Sequence, residues 1–318
     1  MSNGDSGDKK ACSSIRLAWK PDHYNIGEVW FHKGLCYPSV EVDVNKTSPY
    51  PYSSIVVGVF GSAYQGKTPN EQIKKEKAYW NGLARELGEN IALFPDKNMV
   101  LLNGACPGLP HYAAEGAAKR GGFVAGISAA DGSRTHAKIV GRNLALHQKT
   151  THNFIVYPRL TYDLSLRGRL LRDMVIDKLK MRNIMNTEFS DVAIALQGSY
   201  GSLFEIAMAL HPNYSIVGVL TPNEKKTFKE IEESGKWYFG DFINLFHQKI
   251  GNNKSPEIRI IPKEDPKELV RELYSAWKDR QKLFDENRGK VYHPSMERPL
   301  EQKIIKPLEY TMGRWPSF

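Results

Sequence analysis

The chain has 318 residues, and 44 Lys plus Arg against 35 Asp plus Glu give a formal charge of +9, a length that allows about two domains or one large one with extensions. A hydrophobic share of 41% with 25% charged residues excludes a largely disordered chain. No apolar stretch approaches a membrane span, Met1 to Lys10 lacks the apolar core of a secretion signal, and the scattered Cys12, Cys36 and Cys106 offer no disulfide framework or C-x-x-C zinc site, so a cytoplasmic setting is expected.

In chain order, residues 1–14 are rich in Ser, Gly, Asp and Lys and are expected to be disordered. Residues 15–52 read as an N-terminal extension. Within it Val29-Trp30-Phe31 and Val40-Glu41-Val42-Asp43-Val44 predict a strand or two on the edge of the main fold. Thr47-Ser48-Pro49-Tyr50-Pro51-Tyr52 reads as a linker, because its prolines deny hydrogen bonds to a ladder. Residues 53–286 form the main domain. Ile55 to Phe60 is a continuous apolar run, as in a strand covered on both faces. Glu71 to Leu87 follows as a helix, then a strand at Met99 to Leu102, a helix at His111 to Lys119, and strands at Phe123 to Ile127 and Asn153 to Tyr157. A helix at Leu170 to Asn186 leads to a strand at Val192 to Leu196 and a helix at Leu203 to Leu210. Strands at Ile216 to Leu220 and Ile258 to Ile261 and a helix at Pro266 to Asp279 complete the pattern. Strands alternating with helices predict an α/β fold with a doubly wound, mostly parallel sheet and helices on both faces. Residues 287–318, rich in Pro, Lys and Arg, are expected to wrap the surface as a tail.

Basic residues gather at Arg159, Arg167, Arg169, Arg172, Lys178, Lys180 and Arg182. No Lys/Arg tract with interleaved aromatics accompanies them, so a phosphorylated small molecule is expected in preference to nucleic acid. In folds of this class ligands sit beyond the carboxyl ends of the strands, and three predicted strands end there in glycine-bearing loops that lead into helices. The first, Gly61-Ser62-Ala63-Tyr64-Gln65-Gly66-Lys67-Thr68, formally satisfies the G-x-x-x-x-G-K-[ST] phosphate loop. Pro69 removes an N–H where that motif needs one, and no later strand ends in the aspartate that would hold magnesium. The second loop, Asn103 to Pro110, carries Gly104 and Gly108 ahead of an alanine-rich helix. The third, Gln197-Gly198-Ser199-Tyr200-Gly201-Ser202, opens a helix whose N–H groups, with the Ser199 and Ser202 hydroxyls, suit a monophosphate. Glu205, one turn in, is placed either to support the helix start or to act beside a sugar phosphate.

The stretch from Ser190 to Glu205 resembles the P-G-G-x-G-T-x-x-E signature of the LOG (lonely guy) family, also described as lysine decarboxylase-like. That family belongs to a wider group of Rossmann-like nucleotide-binding proteins that includes molybdenum-cofactor carriers. Its R-K pair is matched by Arg182-Asn183, 15 residues before Gln197. Gly61, Ser62, Gly66 and Pro69 resemble its G-S-S-x-G-x-x-P turn with one residue inserted, and Gly104, Gly108 and Leu109 its G-G-G-x-x-G-L-M turn. The resemblance spans roughly Ile55 to Lys278.

It implies a Rossmann-like fold that binds a nucleoside 5′-monophosphate and, in catalytic members, hydrolyses the N-glycosidic bond to give free base and ribose 5-phosphate. By carry-over Arg182 and Glu205 are the catalytic pair. Gly61, Ser62, Gly104, Gly108, Gln197, Gly198, Ser199, Tyr200, Gly201 and Ser202 bind the nucleotide and its phosphate. No metal or other cofactor is implied; a homodimer is, with the Arg182 helix near its interface. Gln197 for proline, Ser199 for glycine, Ser202 for threonine and Asn183 for lysine depart from the signature and also fit a non-catalytic nucleotide or molybdenum-cofactor carrier. A triphosphate-using enzyme acting through Gly61 to Thr68 is the further alternative. His147 and His152 lack the i, i+4 spacing of a metal pair, with no carboxylate at fixed spacing, and are expected to make ordinary polar contacts. Cys106 reads as a small loop residue, and Trp237-Tyr238-Phe239 as core packing.

Overall fold

The computed structural model describes residues 30–32, 35–37, 39–45, 55–63, 71–94, 99–159, 178–179, 182–183, 185–187, 189–198, 200–210, 216–221 and 259–286. The strands are β1 (Trp30–His32), β2 (Leu35–Tyr37), β3 (Ser39–Val44), β4 (Ile55–Phe60), β5 (Met99–Asn103), β6 (Phe123–Ile127), β7 (Phe154–Arg159), β8 (Val192–Ala195), β9 (Ile216–Leu220) and β10 (Arg259–Lys263). The helices are α1 (Glu71–Leu93), α2 (Leu109–Lys119), α3 (Ser133–Val140), α4 (Arg142–Thr151), α5 (Tyr200–Leu210) and α6 (Pro266–Glu286). Of the expected helix at Leu170 to Asn186, residues 178–179, 182–183 and 185–186 are helical, with Thr187 continuing it, and the rest lies outside the described residues. So do the N-terminal segment, the proline linker, Lys67 to Pro69, Ser199, the Trp237 aromatic group and the C-terminal tail.

The main sheet has eight strands in the order β10-β9-β8-β4-β5-β6-β7-β3. The seven from β10 to β7 are parallel, and β3 closes the edge antiparallel to β7, with Val42 opposite Val156. The α/β expectation with a Rossmann-like, doubly wound sheet is therefore met, and the Val40 to Val44 run is an edge strand as its alternation predicts. The Trp30 run instead pairs with β2 in a separate two-stranded sheet.

The apolar runs are strands because both of their faces are covered. In β4, Ile55, Val57 and Val59 pack with Trp80, Ala84 and Leu87 of α1 and with Leu269 and Leu273 of α6. On the opposite face Val56 joins Val100, Leu102, Met185 and Phe189, and Phe60 joins Ile206 and Ala209 of α5. Helix α1 runs past the expected Leu87 to Leu93 because Ile91 and Ala92 still find the core. A Cβ on Gly88 would lie 1.9 Å from the Ala113 carbonyl oxygen, and one on Gly116 2.0 Å from that of Arg85, so α1 and α2 touch backbone to backbone.

Helices α3 and α4 carry no apolar stripe, and sequence periodicity does not reveal them. Apart from Ala145, what they bury is polar: His136 contacts Ser128 Oγ through Nδ1 at 2.8 Å and Gln148 Oε1 through Nε2 at 2.6 Å. From β4 the chain winds outward through β5, β6 and β7, then returns to β8 on the other side of β4. The order reverses between β4 and β8, so their carboxyl ends diverge into loops that leave a crevice for ligand.

Candidate functional site

The crevice is built by the three glycine-bearing loops, and backbone hydrogen bonds knit them together. Ser62 N–H donates to the Gln197 carbonyl at 2.8 Å, joining the β4 and β8 loops. The Ser62 carbonyl accepts from Leu109 N–H at 3.0 Å, joining the first loop to the start of α2. The β5 loop turns on Asn103, whose Oδ1 accepts from Ala105 N–H at 2.8 Å and whose Nδ2 donates to the Pro110 carbonyl at 3.0 Å. That bracing holds Ala105 at φ 44°, a backbone region costly for a residue with a Cβ. Gly108 enters α2 at φ 95°, which glycine adopts freely.

A cavity of about 70 Å³ opens where these loops meet. Gly61 and Ala63 line it from the first loop, Gly104, Cys106 and Pro110 from the second, and Gly201, Ser202 and Glu205 from α5, with Arg182 across from them. That space holds a phosphate or the end of a sugar, while a whole nucleotide would extend into the open side. Gly201 and the buried Ser202 lie in the first turn of α5, where N–H groups lack partners within the helix and the dipole favours an anion. A Cβ on Gly201 would meet nothing within 4 Å. Among the described residues no packing demands glycine there.

Arg182 and Glu205 face each other in the cavity, with Nη2 3.5 Å from Oε1. Glu205 is 5% exposed. Burial pushes its carboxyl above the ordinary range, with Arg182 and then Asn186 pulling the other way. Asn186 Nδ2 reaches the same Oε1 at 3.5 Å. Arg182 Nε donates to Asn183 Oδ1 at 2.9 Å, so the residue standing where the family has lysine orients the guanidinium. Gly104 lets that guanidinium lie against the loop, since a Cβ there would sit 3.1–3.3 Å from its atoms. Lys178 pairs with Asp131 after β6 and helps hold the segment bearing Arg182 over the strand ends.

Of the residues expected from sequence, Gly61, Gly104, Arg182, Gly201, Ser202 and Glu205 converge on the cavity. Ser62 and the Gln197 carbonyl instead tie the loops, and Gly108 shapes the start of α2. Gly198 is half-buried outside the cavity lining, Tyr200 supplies the first residue of α5, and Ser199 lies outside the described residues. Asn103 and Asn186 were not expected. Asn103 had a legible signal in its place at a strand end before a glycine; Asn186, one helical turn after Asn183, had none without the fold. Cys106 lines the cavity, but burial pushes its thiol up against the pull of Arg182, which leaves it a poor nucleophile and keeps it a small loop residue.

Residues 54–156 match the model of the SLOG cluster4 family, within a group that includes LOG-like folds, in agreement with the resemblance carried by the loops. The matched segment holds the first two loops and ends before Arg182 and the α5 loop. No curated protein matches the chain. DNA processing protein A (DprA) from Streptococcus pneumoniae is similar in structure, with 12% identity, a TM-score of 0.45, and coverage of 76% of this chain and 68% of that one. The molybdenum cofactor carrier protein of Chlamydomonas reinhardtii is 16% identical with a TM-score of 0.37, covering 73% of this chain and 99% of that one. The molybdenum cofactor binding protein of Rippkaea orientalis is 21% identical with a TM-score of 0.39, covering 70% and 96%. Among the described residues no helix is long and apolar enough to cross a membrane.

Proposed function

We propose that this protein binds a nucleoside 5′-monophosphate in the crevice between β4 and β8 and hydrolyses its N-glycosidic bond. The carrying observation is the Arg182–Glu205 pair, 3.5 Å apart in one cavity with the first turn of α5. In this reading the phosphate rests on the N–H groups at Gly201 and Ser202 and on the Ser202 hydroxyl, where the helix end supplies positive potential without a metal. The ribose then lies toward Glu205. As the C1′–N bond breaks, its electron pair leaves with the base and positive charge grows at C1′; a carboxylate beside it stabilises that charge. Water adds its oxygen to C1′ and gives one proton to Glu205, which passes it to the departing base nitrogen, giving free base and ribose 5-phosphate with the carboxylate restored. Arg182 favours the ionised form of Glu205 against the effect of burial and directs two-pronged hydrogen bonds to the ribose or phosphate.

A carrier reading is favoured by a different observation. Asn183 replaces a cation with a neutral group and already engages the Arg182 guanidinium, leaving fewer donors for a reacting sugar. The same pocket then holds a phosphorylated ligand without turning it over.

Chromatographic assay of the purified chain with AMP and other nucleoside monophosphates, following free base and ribose 5-phosphate, separates the two. Hydrolysis predicts turnover that falls by at least about 100-fold in both Arg182→Ala and Glu205→Ala. Saturable binding without turnover supports the carrier, and binding only of a single-stranded oligonucleotide run alongside removes both. The homodimer implied by the resemblance is checked in the same preparation by light scattering.

A further inference from the structure

Outside the cavity, α2 and α4 bring together three donor atoms that neither reading uses. His111 Nε2 lies 3.0 Å from His147 Nδ1 and 3.4 Å from Glu115 Oε1, and His147 Nδ1 lies 3.5 Å from the same oxygen. His111 and Glu115 are one turn apart on α2, and His147 arrives from α4. The three atoms form a nearly equilateral triangle. A zinc ion with bonds of about 2.0–2.1 Å and tetrahedral angles spaces its donors about 3.3–3.4 Å apart, which is the size of that triangle.

A proton on His111 Nε2 or on His147 Nδ1 serves the 3.0 Å contact between the rings or a contact to Glu115 Oε1, whereas a cation at the centre serves all three donor atoms at once. Among the described residues no partner of His111 Nδ1 fixes the tautomer from the far side of the ring. The carboxylate is held as metal ligands usually are: Arg85 Nε donates to Glu115 Oε2 at 2.9 Å, leaving Oε1 turned toward the histidines.

We propose that His111, Glu115 and His147 form a binding site for a divalent transition metal of the zinc type. Two imidazole nitrogens and one carboxylate oxygen suit zinc over calcium or magnesium, which prefer oxygen alone. Three protein ligands leave a fourth position for water or another ligand, and the 48% exposure of the His147 side chain gives it access to solvent. The site clamps α2 to α4 one residue beyond Pro110, which lines the cavity, yet none of the three ligands lines it. It therefore stands whether or not the nucleotide reading holds.

The test uses the full chain, free of any affinity tag and stripped with chelator, titrated with Zn²⁺ by calorimetry and with Co²⁺ by visible absorption. The expected result is saturation at about one ion per chain, tetrahedral Co²⁺ bands and a Zn²⁺-dependent rise in Tm. Glu115→Gln preserves shape and His147→Ala alters an exposed residue, so both variants should fold; each should weaken binding by at least about 100-fold and abolish the rise in Tm. Absence of stoichiometric binding in the native chain, or binding that survives both substitutions, overturns the proposal.

Discussion

Glu205 is held where its ionised form is disfavoured, and this has a measurable consequence for stability. A carboxyl whose folded pKa lies above its unfolded value costs stability at any pH above the unfolded value, the cost growing until the folded pKa is passed. Burial is the largest influence on Glu205 and it acts upward, so at neutral pH the carboxylate destabilises the fold. Glu205→Gln should therefore raise Tm at neutral pH, with the gain shrinking toward zero as the pH falls below about 4.5, the ordinary value for this group. Thermal unfolding of both chains across that range checks it; a lower Tm for the variant at neutral pH would show that the Arg182 contact outweighs desolvation. Gly104→Ala tests the opposite side of the pair. The added methyl, 3.1–3.3 Å from the guanidinium, must displace Arg182 by a few tenths of an ångström. If Arg182 acts in hydrolysis, kcat should fall by about tenfold while Tm changes little.

Two helices depend on the absence of side chains where they touch. At Gly88 a Cβ would stand 1.9 Å from a carbonyl oxygen of α2, and backbone cannot yield as a side-chain tip can. Gly88→Ala is expected to cost about 3 kcal/mol, read as a lower midpoint in urea, despite alanine's better helix propensity. The same contact places Arg85 of α1 beside Glu115 of α2, so loosening it should also weaken metal retention. At this scale the limits of sequence reading are physical. Strands such as Phe123–Ile127 and Ile216–Leu220 were legible because continuous burial writes itself as an apolar run. The loops were legible because glycines gather where backbone approaches a ligand. Helices α3 and α4 were hidden because they bury chiefly the polar His136, Gln148 and Thr151, joined by bonds such as His136 Nε2 to Gln148 Oε1, which leave no apolar period. The grouping of His147 with Glu115 is hidden for a related reason: they lie on different helices 32 positions apart in the chain, a pairing only the fold creates.

Across the whole molecule, the sheet depends on its covering layers being complete. Helix α6 closes the β9–β10 end, with Leu269 and Leu273 packed on Gly218 so tightly that a Cβ there would meet them at 2.8–2.9 Å. Its Arg280, buried and with its guanidinium pulled down by burial to about 10, donates to the Asp191 carbonyl at 2.7 Å, just before β8. Asp191 in turn accepts from Val56 N–H of β4 at 2.8 Å. A chain ending at Glu264 would uncover the apolar face of a parallel sheet, a structure stable only when both faces are covered. It should bind hydrophobic dye strongly and lose amide protection in β9 and β8, whereas removal of residues 287–318 tests the tail without touching α6.

The two hydrogen bonds at Ser62 have a bearing on how ligand binding would look in solution. Because that single residue fastens the β8 loop through its N–H and the start of α2 through its carbonyl, these junctions of the crevice are set when the chain folds. A ligand arriving there finds these two junctions already made, so that part of the entropic resistance to binding is absent. Binding should accordingly show fast, single-step kinetics, with association and dissociation rates that alone reproduce the equilibrium constant. The Ser62 and Leu109 amides would exchange equally slowly before and after the ligand is bound.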